Sequence, residues 1–299
     1  MAVFSPYEQA LRVLPTQQHT VLSGGLTTHY WQYGDREKPV DLVMIHGFRG
    51  DHHGLEPFAA ALGDQYNVII PDLPGFGSTP GFTQAATIEA FAHWLKEFWD
   101  AIGATSSTVI LGHSFGSIVV AASLAADLPA QRVVLVNPIA ANALKGPRGV
   151  MTRLAVAYYK LSAVLPEAAG RALLSNPAIV RVMSNTMAKT RDKQLRAWIH
   201  DQHDLYFSIF SSRSDLLQAF STSVSHDVSE FVPSLLSLPV LLIVGERDDI
   251  TALPEQKKLA AKLPHSKMAV IPHVGHLVHY EAPSETAEEI THFMKETSS

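Results

Sequence analysis

The chain has 299 residues and no cysteine, which excludes a disulfide framework, a thiol nucleophile and any cysteine-ligated metal. Hydrophobic residues are 46% and charged residues 17% of the total, enough apolar surface for a large core and too little charge for global disorder. A net charge of −5 argues against a general nucleic-acid binder.

One large α/β domain or a core with an insertion fits this length. Residues 1–18 read as a loose leader or a short helix. Their start, Met1 to Pro15, has neither the basic beginning nor the apolar stretch of a signal peptide. The longest apolar run, near Leu238 to Val244, is far too short to span a bilayer and is broken by Pro239. A soluble, cytoplasmic protein without stable membrane insertion is expected.

Val21-Leu22 and then residues 27–33 alternate like the strands of a hairpin turning at Gly24-Gly25. Residues 40–45 form a continuous apolar strand broken only by Asp41. It runs into His46-Gly47-Phe48-Arg49-Gly50, a loop suited to carry a backbone N–H into a site. A helix is expected over 55–62 and a strand over 66–70. The loop that follows, Pro71-Asp72-Leu73-Pro74-Gly75-Phe76-Gly77-Ser78, combines rigid prolines with permissive glycines. Asp72 is read as structural, because an acid ahead of the nucleophile breaks the order Ser, Asp, His. Residues 87–102 form an amphipathic helix, with Ile88, Phe91, Leu95, Phe98 and Trp99 as core.

Next comes a buried β-branched strand, 108–111, and after it a small-residue helix over 118–126. Between them stands Gly112-His113-Ser114-Phe115-Gly116. A bare G-x-S-x-G is a weak signal, but a strand before it and a helix after it are the context of a nucleophile elbow. A turn this sharp strains Ser114 and leaves no room for side chains two positions to either side, hence the two glycines. A further strand over 132–136 ends at Asn137-Pro138.

So far strands and helices alternate, which argues for a parallel sheet covered on both faces. Residues 139–232 break the pattern. Helices are expected over 151–165, 168–174, 178–187, 192–210 and 214–224, punctuated by Pro147, Pro166, Pro177 and Ser211-Ser212. This stretch holds 11 Lys/Arg and 7 Asp/Glu, so +4, and the remainder of the chain is −9. It reads as an inserted helical cap. The core is then 1–138 and 233–299. Its basic bias is either a solvated face or an attraction for anionic substrates. The sheet resumes over 240–244, ending in Gly245-Glu246-Arg247-Asp248-Asp249. A helix over 255–263, a strand over 267–271, the loop Pro272-His273-Val274-Gly275-His276-Leu277 and a closing helix over 284–296 complete the chain.

A serine hydroxyl needs a base in reach and a third group to orient that base. Both are supplied downstream, in loops after predicted parallel strands. His276 is the expected base, because Gly275 lets its loop approach the serine. His273 reads as a loop hydrogen-bonder, and His279 as a residue at the start of a helix or on its surface. Asp248 is the expected acid; Asp249 is its neighbour, and spacing alone does not separate them. The oxyanion donors are expected to be the backbone N–H groups of Phe48 and Phe115, with both rings lining an acyl pocket.

His46-Gly47-Phe48, Asp72 to Gly77, Gly112 to Gly116, Gly245 to Asp248 and Gly275-His276, in that order, resemble the landmarks of the α/β-hydrolase superfamily. The resemblance is to its branch with a helical cap between strands six and seven, and it runs from about residue 25 to the C-terminus. It implies an α/β fold with a mostly parallel, doubly wound sheet and an all-helical cap. It also implies Ser114 as nucleophile, Asp248 as acid and His276 as base, with no metal or organic cofactor. Ser117 departs from the pattern, since many relatives carry glycine there. Serine at 114 argues against the aspartate-nucleophile dehalogenases and epoxide hydrolases. The expected activity is ester hydrolysis of a small or medium apolar molecule through an acyl-enzyme. The alternatives are carbon–carbon bond hydrolysis of dienoate-type ketones and a non-enzymatic ligand-binding role.

Overall fold

The structure is a computed structural model that describes residues 5–35, 37–142 and 149–297. Pro147 and the first four residues of the expected leader lie outside them. A short helix α1 (Glu8–Val13) leads directly into β1 (Thr16–Ser23), which hairpins into β2 (Leu26–Tyr33). Residues 16–18, expected in the leader, therefore belong to the first strand. Gly24 and Gly25 make the turn with φ of 59° and 74°.

Then follow β3 (Leu42–Ile45), a 3-10 turn (His52–Leu55), α2 (Glu56–Leu62), β4 (Val68–Pro71), α3 (Ile88–Ala101), β5 (Val109–His113), α4 (Phe115–Ala125) and β6 (Val133–Val136). The chain next forms α5 (Gly149–Val164), α6 (Glu167–Leu174), α7 (Pro177–Met187), α8 (Lys193–Tyr206) and α9 (Arg213–Ser225). A 3-10 turn (Val228–Phe231) and α10 (Val232–Leu235) return it to β7 (Val240–Gly245), α11 (Leu253–Ala260), β8 (Ser266–Ile271), α12 (Val278–Glu281) and α13 (Pro283–Glu296).

The eight strands form one sheet in the order β1-β2-β4-β3-β5-β6-β7-β8. β2 is antiparallel to β1 and β4, and the remaining pairings are parallel. The strands β3 to β7 are apolar at almost every position because both faces are covered. Val43, Ile45, Ile110, Val133, Leu135 and Leu242 face a core completed by α3 and α4. Leu42, Met44, Leu111, Val134, Val136 and Ile243 face a second core with α2 and α13. α3 buries Phe91, Leu95, Phe98 and Trp99, and Thr87 caps its start by accepting from the Ala90 N–H. α4 is buried on all sides from Phe115 to Leu124.

Register sets the site. Ile45 lies opposite Gly112, His113 opposite Val136, and Gly245 opposite Ile271. The carboxyl ends of β3, β5, β6, β7 and β8 are thus level, and their loops emerge along one edge. The inserted helices leave and return above that edge through a neck. There the Val228 N–H donates to the Ile139 carbonyl at 2.8 Å and the Ser229 hydroxyl to the Ala140 carbonyl at 2.7 Å.

Three helices end elsewhere than expected, and one of them, α11, covers Leu253–Ala260 where 255–263 was expected. α4 begins at Phe115, directly after the elbow, three residues ahead of the sequence expectation. α8 stops at Tyr206, because the next residues pair with the loop after β4: Phe210 bridges Phe76, and the Ser211 N–H donates to the Gly75 carbonyl. Among the described residues no helix is long and apolar enough to cross a membrane.

Candidate active site

Ser114 stands at the corner between β5 and α4 with φ 53° and ψ −117°, a conformation that costs a residue with a side chain on the order of 1–3 kcal/mol. Its neighbours cannot carry Cβ atoms. One on Gly112 would sit 2.5 Å from the Gly116 carbonyl oxygen, and one on Gly116 would sit 2.3 Å from the Ile45 carbonyl oxygen. The second glycine is therefore required by β3 next door rather than by the first glycine. Ser117 adds a tie of its own. Its hydroxyl donates to the Ser114 carbonyl and accepts from the Ile139 N–H at 3.2 Å. A glycine at that position would have no such link.

The structure brings Ser114, His276 and Asp248 together from three loops. Ser114 Oγ lies 2.9 Å from His276 Nε2, and His276 Nδ1 lies 2.8 Å from Asp248 Oδ2. All three residues are buried, Ser114 at 8% exposure. Asp248 also accepts from the Ile250 and Thr251 N–H groups at 2.7 and 3.0 Å and from the Thr251 hydroxyl at 2.5 Å. Burial pushes its carboxyl up. The His276 charge and the bonds from His276 and Thr251 outweigh burial and hold it well below the usual carboxylate range. Asp249 turns outward instead, and accepts from Lys189 Nζ at 2.6 Å.

Asn137, with φ 43°, fastens the two downstream loops to each other. Its side-chain N–H groups donate to the carbonyls of Gly275 and His276 at 3.1 and 3.0 Å, and its carbonyl accepts from the Gly245 N–H at 2.8 Å. His113 Nε2–H donates to the His276 carbonyl at 3.2 Å. Burial first, and then the His276 charge, push the His113 imidazole down to about 3, so it stays neutral. Sequence reasoning passed over Asn137, Thr251 and His113 as supports. The Asp248-x-x-Thr251 spacing was a usable signal, since a threonine three residues after an aspartate is placed to bond it.

Phe48 lies on a loop that passes over the serine: a Cβ on Gly47 would be 3.2 Å from Ser114 Cβ. Among the described residues, neither the Phe48 N–H nor the Phe115 N–H has an internal acceptor. The Phe115 N–H belongs to the first turn of α4, at the positive end of that helix. The two rings part company. Phe48 packs on Phe76, Tyr159 and Phe220 between sheet and inserted helices. Phe115, fully buried, lies against Phe91 in the core, so only one of the two expected rings can face a substrate.

Other candidates fall away from the serine. Asp72, fully buried, accepts from the N–H groups of His52 and Ser78 and from His52 Nδ1, which makes it the anchor of its loop. His273 is exposed and bonds Arg247. His279 is at the start of a helix, one of the two expected places, and not on a surface. It is buried in α12, a single turn folded inward against α2, with its ring 4.4 Å from that of His113. A cleft of about 380 Å³ opens between α1, α2 and α8, lined by Tyr7, His53, Trp198 and Tyr206; none of Ser114, Asp248 and His276 lines it.

A family model described as "Alpha/beta hydrolase family" matches residues 42–289. The uncharacterized hydrolase YugF of Bacillus subtilis (strain 168) is 27% identical over 288 residues, 95% of this chain and 99% of that one. A pimeloyl-acyl-carrier-protein methyl ester esterase of Aeromonas hydrophila is 26% identical over 261 residues, 85% of this chain and 95% of that one. A thermophilic esterase from Thermogutta terrifontis has the same fold, with a TM-score of 0.72 and 22% identity over 94% of this chain and 98% of that one.

Proposed function

Starting from the fact that this chain belongs to the alpha/beta hydrolase family and is a hydrolytic enzyme, we propose that it cleaves carboxylic esters of small or medium apolar molecules through a Ser114–His276–Asp248 triad. The observation that carries the reading is the unbroken relay from Ser114 Oγ to His276 Nε2 at 2.9 Å and from His276 Nδ1 to Asp248 at 2.8 Å. In the neutral imidazole, Nδ1–H donates to the carboxylate and Nε2 accepts from the serine hydroxyl. Ser114 attacks the ester carbonyl while His276 takes its proton. The Phe48 and Phe115 N–H groups receive the oxyanion of the tetrahedral intermediate. His276 then protonates the departing alcohol, and water repeats the two steps on the acyl-enzyme. Asp248 keeps the imidazole in the correct tautomer and stabilises its charge.

The inserted helices serve as the cap. Their Tyr159 and Phe220 meet Phe48 of the loop after β3 in one apolar surface and exclude water from the acyl-enzyme. Relatives named as hydrolases and esterases favour this chemistry, and they leave the non-catalytic alternative without support.

A fluorophosphonate probe tests it. Wild-type protein is expected to be labelled at Ser114, and Ser114→Ala to take up no label. Labelling that survives Ser114→Ala assigns the nucleophile elsewhere and sinks the triad. Short p-nitrophenyl esters run beside a dienoic diketo acid separate ester from carbon–carbon cleavage; turnover of the diketo acid alone would reject the ester reading.

A further inference from the structure

Arg49 follows Phe48 in the turn closed by the Gly50 N–H on the Gly47 carbonyl at 3.1 Å. Its φ of 62° is one that glycine adopts freely and arginine does not, at a cost of about 1–2 kcal/mol. The side chain nonetheless points inward and is 2% exposed. Nε donates to the Phe207 carbonyl at 3.0 Å, Nη2 to the Leu174 carbonyl at 2.7 Å and Nη1 to the Tyr159 hydroxyl at 3.3 Å. The guanidinium also lies 5.1 Å from the centre of the Phe207 ring.

All of these acceptors belong to the inserted helices. Tyr159 is on α5, Leu174 is the last residue of α6, and Phe207 directly follows α8. Among the described residues no carboxylate stands within ion-pair distance of Arg49. A buried guanidinium without an acid is costly unless other negative charge faces it. Here two helix C-termini do so, each carrying the negative end of its dipole on an otherwise unpaired carbonyl.

We propose that Arg49 is a positioning residue that fastens the oxyanion loop to the cap, so that the Phe48 N–H is correctly placed only when the cap is seated. The proposal rests on the reading of Phe48 as an oxyanion donor. One fork closes two helix ends and one tyrosine onto the same turn, so the cap and the donor share a joint. The Phe48 ring packs on that joint as well, 5.9 Å from the rings of Tyr159 and of Phe220. Without the fork, the buried Leu174 carbonyl and the half-buried Phe207 carbonyl lose their donor and the strained turn loses the contact that holds it. The Phe48 N–H then drifts from the place where the oxyanion forms. Oxyanion stabilisation acts in the transition state and hardly at all on bound ester, so the loss falls on kcat and spares KM.

The experiment compares Arg49→Ala, Arg49→Lys and Tyr159→Phe with wild type. It uses a p-nitrophenyl ester and a trifluoromethyl ketone, whose adduct with Ser114 carries the oxyanion. For Arg49→Ala, kcat is expected to fall about 100-fold with KM within about threefold, and ketone affinity to fall in parallel. Added guanidinium is expected to restore part of kcat to Arg49→Ala and none to Arg49→Lys. Lysine keeps the charge but cannot fork, so its kcat is expected to fall at least about tenfold. Tyr159→Phe removes one acceptor and is expected to have the same sign with a smaller size. Unchanged kcat, or a change confined to KM, in variants shown to be folded by circular dichroism overturns the proposal. If Arg49→Ala does not fold, Arg49→Lys decides by the same criteria. Absence of fluorophosphonate labelling in wild type is a failure of the esterase reading; normal labelling with unaffected variant kcat is a failure of this proposal alone.

Discussion

Two adjacent aspartates have opposite fates here, and the difference is electrostatic. Asp248 accepts from Thr251, from two backbone N–H groups and from His276, and stays ionised far into acid. Asp249 shares a half-exposed ion pair with Lys189, a contact worth at most about 1 kcal/mol. Asp248→Asn is therefore expected to lower kcat about 10⁴-fold by reversing the imidazole tautomer, and Asp249→Ala to change it less than about threefold. Steady-state rates on one ester decide it, and the reverse ranking would reassign the acid. Since the Asp248 carboxyl lies well below the usual range, it contributes no acid limb to the rate profile near neutrality.

At the scale of elements, the loops after β6, β7 and β8 are held as a set by one amide. Asn137→Ala would remove this amide's bonds to the Gly245 N–H and the Gly275 carbonyl and leave the His276 carbonyl with His113 as its donor. It is expected to cost about 2–4 kcal/mol of stability and to lower kcat more than it raises KM, as thermal unfolding and ester kinetics would show. This joint also marks the limit of what the sequence made legible. Strands β3, β5, β6 and β7 were readable because runs such as Val133 to Val136 are buried on both faces, and α3 because its aromatics recur at helical spacing. Ser114, Asp248 and His276 were readable as glycine-flanked or strand-end residues in a fixed order. Asn137 gave no such sign, since a side chain that links loops 108 and 139 residues apart has no local pattern. The burial of His279 escaped for a related reason: its place at the start of a helix was readable, but spacing does not show that a one-turn helix is folded inward. Arg49 read as a loop residue because its acceptors are main-chain carbonyls, which any sequence supplies.

Across the whole molecule, burial keeps a set of histidines neutral, and this makes stability depend on pH. Burial, then neighbouring positive charge, pushes His113 and His203 down to about 3, and His279 is lowered for the same causes. In the unfolded chain these groups titrate near 6.5, so below that value, and down to about 3 for His113 and His203, the unfolded state binds more protons. Stability is then full above about pH 6.5 and falls as the medium is acidified, by up to about 1.4 kcal/mol per pH unit for each histidine. His203→Gln, remote from the triad, is expected to flatten the slope of unfolding free energy between pH 6 and 4.5 by about that amount. Denaturant titrations at several pH values measure it, and an unchanged slope would show that His203 is charged in the fold. The neck between Ile139-Ala140 and Val228-Ser229 has a different consequence. It closes the insertion into a hoop whose two feet stand side by side, so the arc above them can lengthen, shrink or be exchanged without shifting the register of any strand. As long as the carbonyls that meet Arg49 are kept, evolution can revise the arc while the strand-end loops that carry Ser114, Asp248 and His276 stay as they are.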